Sequence, residues 1–148
     1  MKAESGFTLV EILIVVVILG ILAAIVIPQF TDASTQAKES ALASDLQMMR
    51  SQLELYKIQH NDNLPATTGQ AAFEACMLDQ TDQYGNAGTQ FGPYMQKMPS
   101  NPFVDVDADV VTFAGAGTCP SSGTTGWWMR SDTGEFRAND VDPNHAEY

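Results

Sequence analysis

The chain has 148 residues, enough for one small domain with an appended segment. Seven Lys and Arg against eighteen Asp and Glu leave a formal charge of -11. That acidity speaks against nucleic acid or anionic lipid headgroups as principal partners, because phosphates would be repelled. Two cysteines are too few for a disulfide-dense scaffold, and they are not spaced as a zinc-type C-x-x-C pair.

From Phe7 to Ile27 the sequence carries a single charge, Glu11. As a helix this stretch spans about 30 Å, the thickness of a bilayer's hydrocarbon core. Ile12–Leu19 is apolar on every face, unlike a helix lying on a soluble surface. The run is longer than a signal peptide's apolar region of about 7–15 residues, and Leu22-Ala23-Ala24 lacks a small-x-small cleavage pattern. A plain membrane anchor explains the length but not Glu11. A carboxylate inside a membrane costs about 2.5–3.5 kcal/mol, so it needs a partner or hydration at headgroup level. If the chain were cut after Gly6, the new α-amine of Phe7 would lie at the depth of Glu11, able to pair with the carboxylate of a neighbouring copy. Lys2, just outside the run, favours a cytoplasmic amino terminus, and Glu4 partly offsets that signal.

Gly6-Phe7-Thr8-Leu9-Val10-Glu11, followed by an apolar run and Pro28, closely resembles the amino terminus of type IV pilins and type II secretion pseudopilins. The detailed match covers about Lys2 to Phe30. The resemblance implies that residues 1–6 are a leader, that a prepilin peptidase cuts after Gly6 and methylates Phe7, and that Glu11 neutralises the new amine of an adjacent subunit during assembly. Cleavage removes Lys2 and Glu4 together, so the net charge stays at -11 and the effect of processing is local to Phe7.

Pro28 lacks an N–H and collides with the carbonyl four residues back, so the helix is expected to bend or open near Ala24. Gly20 weakens the same stretch. Related filaments can unwind here, which makes Gly20 to Pro28 the candidate region for melting. Beyond Phe30, Leu42, Leu46, Met49, Leu53 and Tyr56 recur at helical spacing and form a one-sided apolar stripe. No Gly or Pro interrupts Gln29 to Asn61, so the mature helix is expected from Phe7 to about Gln59, roughly 80 Å. The segments are then 7–30, embedded in membrane or filament core; 31–60, an amphipathic continuation; and 61–148, a small globular domain. Such a helix cannot bury itself, which points to polymerisation more than to catalysis.

In residues 61–148, Gln70–Asp79 reads as a short helix and Phe91–Lys97 as a further helical turn. Val110–Ala114, Gly126–Arg130 and Glu135–Ala138 read as strands of a small meander, the last two joined through Ser131-Asp132-Thr133-Gly134. The expected class is α+β and pilin-like: one long helix packed against a small antiparallel sheet. Cys76 and Cys119 both follow the membrane segment, so a bridge between them is expected if this part lies in an oxidising compartment. His60 reads as a charge or cap at the end of the long helix. One of Trp127 and Trp128 should face outward, since adjacent strand residues alternate. Asp105-Val106-Asp107-Ala108-Asp109 fails as an EF-hand, with Val110 and Ala116 where Gly and Glu are required. No cofactor is assigned. A calcium site of another kind, drawing on Asp140 or Asp142, stays open because major pseudopilins often bind calcium in a carboxy-terminal loop.

No Ser/His/Asp, Cys/His or metal-ligand set suggests an enzyme. The reading is a structural subunit of a filament of the type IV pilus class, a type II secretion pseudopilin favoured over the major pilin of a surface pilus active in adhesion, motility or DNA uptake. A membrane-anchored periplasmic binding module using exposed aromatics is the alternative from another class. The implied partners are other copies in a helical homopolymer, the prepilin peptidase, an inner-membrane assembly platform with its ATPase, and other pilins or pseudopilins. Before assembly the subunit is expected to cross the inner membrane once; afterwards it belongs to a periplasmic or extracellular filament.

Overall fold

The computed structural model describes residues 6–115, 117, 119, 123–142, 144 and 145. They form one long helix, α1 (Leu9–Gln59), a short helix, α2 (Gln70–Leu78), and three strands, β1 (Val111–Ala114), β2 (Trp127–Arg130) and β3 (Phe136–Ala138). The chain divides into two compact units at Ala37 and Lys38.

In the first unit the described residues from Leu9 onward form helix, and every described residue is exposed. The helix continues through Gly20 and Pro28 in the lone subunit. Pro28 removes only one backbone donor. Just beyond it, the Thr31 hydroxyl donates to the Ile27 carbonyl at 3.2 Å and the Thr35 hydroxyl to the Thr31 carbonyl at 3.1 Å.

The second unit is built on the expected stripe. Leu42, Leu46, Met49, Leu53 and Tyr56 are all buried. They share one apolar core with Phe73, Cys76 and Met77 of α2 and with Trp127, Met129 and Phe136 of the sheet. The α+β, pilin-like order therefore holds. At the end of α1, His60 is fully buried and stacks on Tyr56 at 3.7 Å between centroids. Its Nδ1 donates to the Tyr56 carbonyl at 2.8 Å, the capping role expected of it, while Nε2 lies 2.9 Å from the Thr81 hydroxyl.

The sheet differs from a meander. β2 and β3 pair antiparallel across the expected turn, with Trp128 opposite Arg137. β1 and β2 pair parallel, with Val111 opposite Trp127, so the sheet is mixed rather than antiparallel. Residues 115–126 between them are long enough for the crossover that a parallel pair requires, about a dozen residues. Phe91–Lys97 forms no helical turn. The Phe91 N–H donates to the Thr81 carbonyl at 3.0 Å, and the N–H groups of Tyr94 and Met95 both donate to the Met77 carbonyl, so these donors serve α2 and its following loop. Trp127 and Trp128 are both buried, against the expectation that one faces outward. β2 is the central strand and is covered on both faces. Trp127 also satisfies its indole N–H at the Pro99 carbonyl, 2.8 Å away.

Candidate functional site

α1 begins at Leu9, which makes Thr8 its N-cap residue. The Thr8 hydroxyl accepts from the Glu11 N–H at 3.2 Å, and the Glu11 Oε2 accepts from both the Thr8 N–H and the Thr8 hydroxyl at 2.8 Å. This is the reciprocal capping box of a T-x-x-E sequence, which satisfies donors that a helix start leaves open. The helix dipole also favours an anion in this first turn. Thr8 is the residue that the sequence reading passed over, although Thr8-Leu9-Val10-Glu11 carried the signal.

Phe7 is 83% exposed, and Gly6 beside it is open. A Cβ at Gly6 would meet nothing within 4 Å, and the residue does not need a left-handed backbone. The fold therefore gives no reason for glycine at this position. Gly20 likewise has open space around it and no left-handed backbone. In an exposed helix, glycine costs about 1 kcal/mol relative to alanine, and nothing in the lone subunit offsets that cost. Around Glu11 and Gly20 lies an 18-residue window of mean hydropathy 3.3, with no residue buried. A bare apolar surface of this size needs lipid or other protein to cover it.

Away from this helix the other candidates resolve differently. Cys76 and Cys119 are free thiols in this structure, so the expected bridge between them is not shown. The two thiols face different surroundings. Cys76 is buried on the core side of α2, 3.8 Å from the Gly85 carbonyl. The Cys119 thiol donates to the Ala138 carbonyl at the end of β3, 3.2 Å away. Burial pushes the Cys119 thiol up to about 11, with nearby Asp140 and Glu135 adding to the rise and Arg137 opposing it. Burial also raises the Tyr56 phenol, as does its neighbour Cys76.

Asp140, considered above as a calcium ligand, is already committed to protein donors. Its Oδ2 accepts from the Asn101 side chain at 2.9 Å; its Oδ1 accepts from the Asp142 N–H at 3.0 Å and lies 3.0 Å from His145 Nδ1. Asp140 and His145 are both buried. Among the described residues no three His, Cys, Asp or Glu side chains are gathered to hold a metal ion.

Comparison with known proteins adds the following. Residues 1–27 match the family described as the prokaryotic N-terminal methylation motif. The chain is 36% identical over 102 residues to type II secretion system core protein G of Pseudomonas aeruginosa, covering 69% of this chain and 70% of that protein. It is 31% identical over 103 residues to core protein G of Vibrio cholerae, covering 70% and 68%. A fimbrial protein of Pseudomonas aeruginosa is 44% identical, over 54 residues and only 36% of this chain. No solved structure gives a significant match.

Proposed function

The chain belongs to the type II secretion system core protein G family, the pseudopilins, and from that premise we propose how its first eleven residues act. It is a structural subunit, and its apolar amino-terminal helix suits anchorage in the inner membrane. A prepilin peptidase cuts between Gly6 and Phe7 and methylates the Phe7 amine. Glu11 then leaves the Thr8 cap and pairs with that amine on the adjacent copy. The observation that carries this reading is a carboxylate whose partner among the described residues is Thr8 of its own first turn, inside an exposed apolar helix, next to an open Gly6-Phe7 step.

Before assembly the subunit crosses the inner membrane once, with residues 1–6 in the cytoplasm. An assembly platform and its ATPase draw it out, and helix–helix packing in the filament replaces the lipid contacts of 7–27. Gly20 to Pro28 is the segment that melts on assembly, because Pro28 already lacks one helical bond and Gly20 has the weakest helical preference nearby. The pseudopilus is favoured over a surface pilus because the fimbrial match covers only 36% of the chain, against 69% for core protein G of Pseudomonas aeruginosa.

Mass spectrometry of the mature amino terminus tests the processing. The expected species begins at a methylated Phe7; an intact Met1 or a cut after Ala24 would overturn it. In the same cells E11L should keep that mature terminus but yield no sheared filaments. Filaments of E11L at the unsubstituted level would rule out the pairing of Glu11 with the Phe7 amine.

A further inference from the structure

A cavity of about 420 Å³ opens between the second half of α1 and the β2–β3 hairpin. Its volume is within the usual range of ligand pockets, about 300–1,000 Å³. Leu53 and Phe136, both buried, form its apolar floor, and Arg50 and Arg137 stand on its walls with Glu54 and Glu135. Arg50 is fixed by donating to the Phe136 carbonyl from Nε at 3.0 Å and Nη2 at 2.8 Å. Arg137 is held against Glu135 at 2.6 Å. Burial, and the nearby charge of Arg137, lower the preference of Arg50 for its own charge. Glu135, on the same wall, offsets part of that effect. On a chain of net charge -11, these walls carry two charges of each sign, so an acidic group is not repelled there.

The same chain carries a segment of matching chemistry. Val106 is 70% exposed between Asp105 and Asp107, which are also exposed. Neither acid takes part in an ion pair among the described residues. The loop presenting them is closed on itself. The Asn101 N–H donates to the Ala108 carbonyl at 2.8 Å, Phe103 N–H donates to Asn101 Oδ1 at 2.9 Å, and Gly126 N–H donates to the Asp107 carbonyl at 2.8 Å. A Cβ at Gly126 would collide with the Ala108 carbonyl, so the glycine is what lets the loop lie flat against the start of β2. Asp107 adopts a left-handed backbone at φ 57 within the bend. Such a loop meets a partner without being ordered first, which saves the entropy of ordering.

We propose that Asp105-Val106-Asp107 of one subunit docks in the Arg50–Arg137 cavity of a second copy, with Val106 on the Leu53–Phe136 floor and the aspartates against the guanidiniums. One subunit does not fill its own cavity. The acidic loop leads into β1, whereas Arg137 lies on β3, and the strand order β1-β2-β3 puts these at opposite edges of the sheet. A contact between two different patches is heterologous, the kind that propagates into a helical filament. The proposal rests on the polymer reading and adds a second, globular contact to the helix-mediated one.

The test uses the full-length chain, produced half with natural and half with ¹⁵N isotope, with Val106→p-benzoylphenylalanine as a photo-crosslinker in sheared filaments. Crosslinks should join residue 106 to a peptide of the other isotope containing Leu53 or Phe136. Crosslinks between copies at other peptides, in filaments that form normally, overturn the docking proposal and leave the polymer reading intact. No filaments from the unsubstituted chain would overturn both. In parallel, D105K should lower filament yield by about fivefold or more, since like charges juxtaposed at an interface cost several kcal/mol, and R137E in the same chain should restore it. Full yield from D105K alone would also refute the contact. Asp105 is exposed and outside the left-handed bend, so its replacement leaves the fold in place.

Discussion

Asp82 Oδ1 accepts from the backbone N–H of Tyr84 at 2.8 Å and of Asn86 at 3.0 Å, closing the loop that follows α2. Those donors, Asn86 first, hold its carboxyl below the usual aspartate range, with a smaller contribution from His60. Because the folded value is depressed, the stabilisation is complete above the ordinary unfolded value of about 3.9 and is lost as pH falls through the lower folded value. Thermal melts of the detergent-solubilised chain should therefore show D82A less stable than the parent at pH 6, with the gap closing as the pH drops below 4. A gap that stays constant across that range would mean the carboxylate has no part in holding the loop. The same loop shows why Gly85 is glycine. Its φ is +81, and a Cβ there would sit 2.6 Å from the Tyr56 hydroxyl.

Among the elements, α1 does two different jobs along one continuous helix. Leu53 is 2% exposed in the core of the second unit, whereas Ile14 is 54% exposed in the first. L53A should destabilise the second unit by about 2–5 kcal/mol, the usual cost of such a truncation in a packed core. I14A should leave its denaturant midpoint unchanged, as followed by the fluorescence of buried Trp127 and Trp128. Equal effects would mean the stripe is not the core. This stripe was legible because a helical period needs no knowledge of its partner. The β2–β3 hairpin was legible for a similar reason, since Thr133-Gly134 marks a turn between two short runs. The parallel pairing of β1 was not, because the direction of a strand depends on where the crossover of 115–126 returns it, and no residue pattern encodes that path. Phe91–Lys97 misled for a related reason: its N–H groups found carbonyls at Thr81 and Met77, contacts distant in sequence. At the functional helix, Glu11 stood out by its charge alone, while Thr8 required attention to its spacing from Glu11. The cysteines gave no guide to pairing, since their separation depends on how α2 and the segment after β1 pack.

At the scale of the whole molecule, the two units have opposite relations to water. The second has its own apolar core and, from Lys38 onward, carries most of the chain's acidic residues. Net negative charge of this kind keeps a domain soluble and its copies apart. The first unit is uncovered hydrocarbon along Ile12–Ile27, whose transfer out of water is worth about 25 cal/mol per Å². The drive to associate therefore resides in residues 7–30, and contacts of the acidic domain refine the arrangement without initiating it. Removing residues 1–30 should yield a folded, monomeric domain at concentrations where the full chain, taken out of detergent, associates. Sedimentation velocity at low and moderate salt measures this directly. A truncated chain that still forms filaments would place the driving contacts in the globular unit. A monomer that fails to co-assemble with full-length subunits is the expected result, because a single contact between acidic domains does not hold copies together without the apolar helix.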